Sequence, residues 1–171
     1  MAALLSAAAK TPLLSIALRG FAGLRSAEVE RLQWGQIRLG AEPHLIVNAD
    51  QAKTRSRRLV PISDNLAAWL APDARKSGSV WPHGHDYLYE SQRAVARKAG
   101  VKWKQNALRH SFISYRMAMV KDANQVALEA GNSPDIIFRN YLELVTQTQA
   151  RSWFGIEPEA RGKVISINSA S

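Results

Sequence analysis

The sequence predicts an α+β chain that is mainly α-helical, with one small three-stranded antiparallel sheet in its first half. Three observations predict it. Apolar residues recur at three- and four-residue spacing over most of the 171 residues. Helix-start signals precede several of these runs, as in Thr11-Pro12 and Ser133-Pro134-Asp135, and glycines follow others, as at Gly23, Gly100 and Gly131. Between 36 and 62 the pattern changes to short Ile-, Val- and Leu-bearing runs separated by Gly, Pro and polar residues, which is a strand pattern.

The elements follow in order. Residues 2–9 are good helix formers. Thr11 as N-cap and Pro12 at the first position open a second helix, apolar on most faces and therefore buried, which Gly23 ends. Arg25 stands in the turn, and Ser26 caps a third helix over 27–33, with Glu28 and Glu30 near its positive end. Strands are expected at 36–39, 44–48 and 58–62. The link before the last is basic and without a core residue, and Pro61 marks an edge strand. A short helix over 64–70 turns Leu66, Trp69 and Leu70 inward, and 72–86 reads as loop. An amphipathic helix over 87–99 carries Arg93, Arg97 and Lys98 on its polar side. The central helix runs over 107–120, with Leu108, Phe112, Tyr115 and Met119 as its apolar stripe. Asp122 caps the next helix, which ends at Gly131. The one starting at Ser133 places Ile137, Phe138, Tyr141 and Leu144 on one side. Thr146 or Thr148 starts a last helix that Trp153 and Phe154 pack back onto the rest.

The length suffices for one domain with its own core. Lys and Arg number 23 against 14 Asp and Glu, a formal charge of +9, with a pI near 10.3. That excess favours a polyanionic partner, nucleic acid first and an anionic membrane surface second; a basic enzyme with neither partner stays open on charge alone. There is no cysteine, so disulfides, Cys-ligated zinc and Fe–S clusters are excluded, and a cytoplasmic setting is compatible. Residues 1–24 are Ala/Leu-rich but lack a basic start, and Lys10 and Arg19 divide them into pieces shorter than the roughly 20 apolar residues a membrane span needs. The tail 161–171 reads as a loose end or short strand.

Two residues stand out for chemistry. With Asn106 as N-cap, Arg109 falls in the first helical turn, where a guanidinium beside free backbone N–H groups suits a phosphate oxygen. By spacing alone it is as readily a surface arginine paired with a carboxylate. Tyr141 lies on an apolar helical stripe, where a tyrosine is usually core with its hydroxyl satisfied. Asn106 reads equally as a plain N-cap, and Asn132 as a routine turn residue after Gly131. Two basic clusters, Lys53, Arg55, Arg57 and Arg58, and then Arg93, Arg97, Lys98, Lys102 and Lys104, read either as solvated faces or as a track for a phosphate backbone. No carboxylate cluster or spaced histidines suggest a metal, and no cofactor is implied.

Five pieces recur in a known order. They are Gly-Leu-Arg-Ser-Ala-Glu-Val-Glu-Arg-Leu at 23–32, Lys53-Thr54 ahead of Arg-Arg-Leu-Val-Pro-Ile, Ala-Leu-Arg-His-Ser-Phe at 107–112, Gly-Asn-Ser at 131–133, and Tyr141. In this the chain resembles the tyrosine recombinases, the phage integrase family, over roughly its first 150 residues. The resemblance implies a tyrosine-recombinase catalytic-domain-like bundle over 1–160, followed by a tail, without the amino-terminal DNA-binding domain that family members usually carry. It implies that Arg25 and Arg109 are catalytic arginines, that Glu28 supports the first, and that Lys53 is the catalytic lysine on a hairpin. Tyr141 is then the nucleophile, and His110 a common neighbour without a catalytic part. Arg55, Arg57, Arg58, Lys102 and Lys104 would contact DNA.

The chain departs from the family where histidine usually stands three residues before the second arginine, here Asn106, and where histidine or tryptophan follows the glycine, here Asn132. Asparagine donates and accepts hydrogen bonds but does not titrate usefully.

The implied activity is site-specific DNA recombination: a 3′-phosphotyrosyl intermediate, then strand transfer without metal or ATP, on double-stranded DNA. Self-association through the segment from Arg151 onward is implied too, with no membrane partner and a bacterial, DNA-associated setting. The asparagines motivate an alternative, a catalytically impaired DNA-binding module that keeps the fold. A basic interaction protein with no nucleic-acid role is a third reading.

Overall fold

In the computed structural model, residues 1–51, 57–141 and 145–158 are described. Nine α-helices and three strands lie among them. They are α1 (Ala2–Ala7), α2 (Lys10–Phe21), α3 (Ser26–Arg31), β1 (Ile37–Arg38), β2 (His44–Val47), β3 (Arg58–Pro61), α4 (Asp64–Leu70), α5 (His85–Lys98), α6 (Ala107–Val120), α7 (Ala123–Ala130), α8 (Pro134–Tyr141) and α9 (Gln147–Phe154). No helix among the described residues is long and apolar enough to cross a membrane.

Helix α2 is the buried axle. Leu14, Ile16, Ala17, Leu18 and Phe21 are all inside, and α1, α3, α4, α5 and α6 pack around it. It starts ahead of the expected Thr11-Pro12 cap. Ala9 is the N-cap, so Pro12 falls within the first turn, where its missing N–H costs no internal hydrogen bond. Gly23 follows at φ +66°, with the Phe112 ring packed against its bare Cα. Any side chain there would collide with that ring, so α2 and α6 approach closely only because residue 23 is glycine.

The sheet has order β1-β2-β3, antiparallel throughout, with Leu45 opposite both Ile37 and Val60, and Val47 opposite Arg58. Ile37, Leu45, Val47 and Val60 face the core while Leu59 faces out. Strand alternation places Arg58 on the same face as Val60, which is inward.

A main core lies between α2, the sheet and the flanking helices. A second cluster is built by Phe112, Ile113 and Met117 of α6, Val126, Ala127 and Ala130 of α7, and Ile137 and Tyr141 of α8. The buried stripe of α6 therefore runs through Leu108, Phe112, Ile113 and Met117. Tyr115 and Met119, expected inside, are half-buried. Tyr115 stacks on Trp153, with ring centroids 4.4 Å apart. Phe138, expected beside Ile137, is 60% exposed, because the buried positions of α8 are four apart, at 137 and 141.

Helix α9 packs on α6 within the same chain. Its Trp153 indole donates to the Gly20 carbonyl at 3.0 Å, and Trp69 donates to the carbonyl of Ile156 at 2.9 Å. Leu144 and the tail 161–171 lie outside the described residues.

Candidate active site

Three local structures bring the chemistry together. The first is the start of α3. Glu28, in its first turn, accepts the Arg25 backbone N–H at 2.8 Å and the Arg25 Nη1 at 3.0 Å. The Arg25 Nη2 donates to the Gly131 carbonyl at 2.6 Å, reaching from one end of the chain to the turn between α7 and α8. The guanidinium is thus held from two sides and keeps a partly exposed edge; its side chain is 22% exposed.

Glu28 is itself buried and also takes Arg58 end-on, with Nη1 at 3.0 Å and Nη2 at 2.8 Å. Burial alone would raise its carboxyl. The hydrogen bonds and charge of Arg58, and then those of Arg25, outweigh burial and hold it below the ordinary carboxylate range. Arg58 also donates its Nε to the Glu129 carbonyl at 3.0 Å, capping the end of α7. This corrects the expectation that Arg58 is a DNA-contacting surface residue. Strand parity turns it inward, and two hydrogen bonds to a buried carboxylate keep it there.

The second is the start of α6. Asn106 occupies the N-cap position in the left-handed region, at φ +56°, a conformation asparagine tolerates. Its side chain makes no capping bond; its backbone carbonyl takes the His110 N–H at 2.9 Å. The Asn106 amide therefore lines the cavity instead of closing the helix. Arg109 is buried and donates Nη1 to the Gly23 carbonyl at 2.6 Å. Its Nη2 is buried with no hydrogen-bond partner among the described residues. Burial, and next the charge of Arg25, bring its pKa down to about 10, so it stays a cation at neutral pH.

The third is the turn into α8. Gly131 ends α7 at φ +61°, and the Asn132 N–H bonds back to the Ala127 carbonyl at 2.9 Å. Asn132 Oδ1 accepts the Ser133 N–H at 3.2 Å, which leaves its amide hydrogens for other work. One full helix later, Tyr141 packs its ring into the second cluster while its hydroxyl meets His110 Nδ1 in a short hydrogen bond. The two rings are stacked, 5.7 Å apart and inclined by 21°. Burial raises the phenol's pKa, and the charge of Arg109 works against that rise.

Arg25, Asn106, Arg109, Asn132 and Tyr141 line one cavity of about 340 Å³, with Ser26, Tyr89 and His110. Five residues singled out from the sequence thus meet, and Glu28 stands behind Arg25. Arg57, Lys102 and Lys104 are exposed and do not line it. Lys53 and Arg55 lie outside the described residues. Sequence reasoning passed over His110 as a mere neighbour of Arg109. The signal was its position four residues after Asn106, one turn further along the same helix face. With asparagine at 106 and 132, His110 is the histidine that bonds the phenol.

Among solved structures, the chain is similar to a XerA recombinase, with 15% identity and a TM-score of 0.65, over 92% of this chain and 63% of that one. It is also similar to the integrase from mycobacterium phage Brujita, with 19% identity and a TM-score of 0.60, over 90% of this chain and 55% of that one. Both are tyrosine recombinases, and the fold described above is the tyrosine-recombinase catalytic-domain-like fold. The chain spans less than two thirds of either relative's length. No protein-family model matches the sequence. No curated protein matches it either.

Proposed function

We propose that residues 1–160 form the catalytic domain of a site-specific DNA recombinase or integrase, of the kind mobile elements carry, with Tyr141 as nucleophile. The observation that carries this reading is the meeting of two arginines, two amides and a phenol at one cavity with room for a phosphodiester. The unpartnered Arg109 Nη2 supports it further, because a buried guanidinium N–H without an acceptor is satisfied by an anion arriving in that cavity.

The steps follow from the chemistry. The Tyr141 Oη attacks phosphorus, and its proton passes to His110 Nδ1 when the imidazole carries its own proton on Nε2. A bond forms from Oη to phosphorus, and the bond from phosphorus to the 5′-oxygen breaks. This leaves a 3′-phosphotyrosyl protein and a 5′-hydroxyl. Charge that builds on the non-bridging oxygens is met by Arg25 and Arg109, with the amides of Asn106 and Asn132 as neutral donors. Lys53, by family resemblance, gives the departing 5′-oxygen its proton. A second strand's 5′-hydroxyl reverses the sequence. The ester conserves the bond energy, so the scheme draws on neither ATP nor a metal. Duplex DNA is the partner. Arg55, Arg57, Lys102 and Lys104 add backbone contacts, and self-association on DNA through the carboxy-terminal segment belongs to the same proposal.

A nicked suicide duplex tests it. A denaturation-resistant protein–DNA adduct that disappears in Tyr141→Phe supports catalysis. The two asparagines favour a second reading, a DNA-binding module that has lost the reaction. Duplex binding without any adduct, in wild type and Tyr141→Phe alike, establishes that reading and removes the first.

A further inference from the structure

A second cavity, of about 440 Å³, adjoins the first and shares Ser26, Tyr89 and Asn106 with it. Its other lining residues are Arg19, Gln92, Arg93, Trp103 and Gln105. Arg19 and Gln92 are its most deeply buried members, 2% and 1% exposed. Both carry donors with no hydrogen-bond partner among the described residues: Nε and Nη1 of Arg19, and Nε2 of Gln92. The Arg19 guanidinium stands 5.8 Å from the Trp103 ring centroid, a contact that leaves its in-plane N–H groups unspent. Burial lowers its pKa to about 10, and Tyr89 and Glu30 act against that fall, so it remains charged. Glu30 is engaged with His85 and is not among the lining residues.

A buried cation beside amide donors without a partner, in a cavity lined by no carboxylate among the described residues, is complementary to an anion rich in acceptor oxygens. We infer that this cavity is a second phosphate subsite, which takes the DNA phosphate next to the one held by Arg25 and Arg109. Successive phosphates on one strand are a single nucleotide apart, and two cavities with a shared wall can take neighbouring phosphates of one strand. Arg19 and Gln92 form the floor. Arg93, Gln105 and Asn106 are exposed at the rim, where a backbone can enter. Trp103 and Tyr89 are half-buried and offer faces to the attached sugar. This inference rests on the reading of the chain as a DNA-binding domain.

Duplex affinity is measured against salt for wild type, Arg19→Met, Gln92→Leu and the exposed-loop control Arg75→Met. Losing one phosphate contact reduces the slope of log K against log salt by about 0.9, so Arg19→Met is expected to show that drop with roughly tenfold weaker binding. Gln92→Leu is expected to weaken binding with the slope unchanged, because its donor is neutral. Arg75→Met is expected to change neither. The wild-type Arg19 Nε–H resonance, followed by NMR during titration with duplex and with inorganic phosphate, is expected to move; it needs no variant, so it decides the matter if Arg19→Met fails to fold. A folded Arg19→Met with wild-type slope, or an Nε–H resonance indifferent to both ligands, overturns the subsite and leaves an arginine solvated by internal water. A wild type that binds no duplex at low salt overturns the DNA-binding reading as well.

Discussion

Glu28→Gln is the most informative single change. The carboxylate is buried, is gripped twice by Arg58 at 3.0 and 2.8 Å, and also holds Arg25 through its side chain and its backbone N–H. Glutamine keeps the volume and one acceptor oxygen but removes the charge, so the Arg58 guanidinium is left buried without its counter-ion. Removing one partner of a buried ion pair costs roughly 3 to 5 kcal/mol. For a chain of this size each kcal/mol shifts Tm by about 2 to 4 °C, so a fall of roughly 6 to 20 °C is expected. Thermal circular dichroism and urea titration read it.

The pH dependence has a definite sign. The folded pKa of Glu28 lies below its unfolded value, so its contribution is fully present above an unfolded pKa of about 4.3 and is lost as pH falls through the folded value. Wild type and Glu28→Gln should therefore converge in stability as the solution is acidified. A Tm shift under about 2 °C at neutral pH, or a gap that widens in acid, refutes the account of Arg58 and Glu28 as a buried pair.

Four further outcomes follow from the geometry. His110→Ala should slow adduct formation by about 100- to 10,000-fold with duplex affinity unchanged. Because burial raises the Tyr141 pKa, the residual rate should climb by roughly tenfold per pH unit through the range below pH 10, where wild type is flatter; equal pH profiles would remove His110 from the proton path. Arg109→Lys keeps the charge but loses the fork that bonds Gly23 and still offers Nη2, so cleavage should fall by about 100- to 1,000-fold in single-turnover assays. Gly131→Ala forces a side chain into φ +61° and brings its Cβ to 2.9 Å from Arg58 Nη1, so urea unfolding should show a loss of more than about 1 kcal/mol. Trp153→Ala removes the stack on Tyr115 and the bond to Gly20, and the same measurement should show a loss of about 3 to 5 kcal/mol.

The reading of elements from sequence succeeded where local chemistry is decisive. The bounds of α4 and α6 are legible from the apolar period, and the Asp122 cap of α7 because a capping residue and an apolar period coincide there; at α9 the sequence leaves Thr146 and Thr148 open, and Thr146 is the one that caps. It failed where tertiary contacts decide. Tyr115 fits a helical stripe by spacing, but α7 and α8 cover a neighbouring stripe of α6 and leave Tyr115 to α9. Arg58 looks like one more charge in a basic run. Only the strand parity set by Val60, together with a carboxylate thirty residues earlier, sends it inside. His110 was passed over because family order drew attention to Arg109, while its bond to the phenol spans 31 residues and needs the turn at Gly131 to close. Arg19 was read only as an interruption in an apolar run, and nothing local marks it as the floor of a cavity.

The bond from Arg25 to the Gly131 carbonyl has a mechanical consequence. The same guanidinium that would grip the scissile group also fastens the joint from which the helix bearing the phenol departs. A lever pinned at its pivot by one of its own jaws cannot be adjusted at one end alone. On the proposed reading, drawing Arg25 toward a bound strand would loosen its hold on residue 131, so that bond would tie the grip on the phosphate to the root of the helix that carries Tyr141.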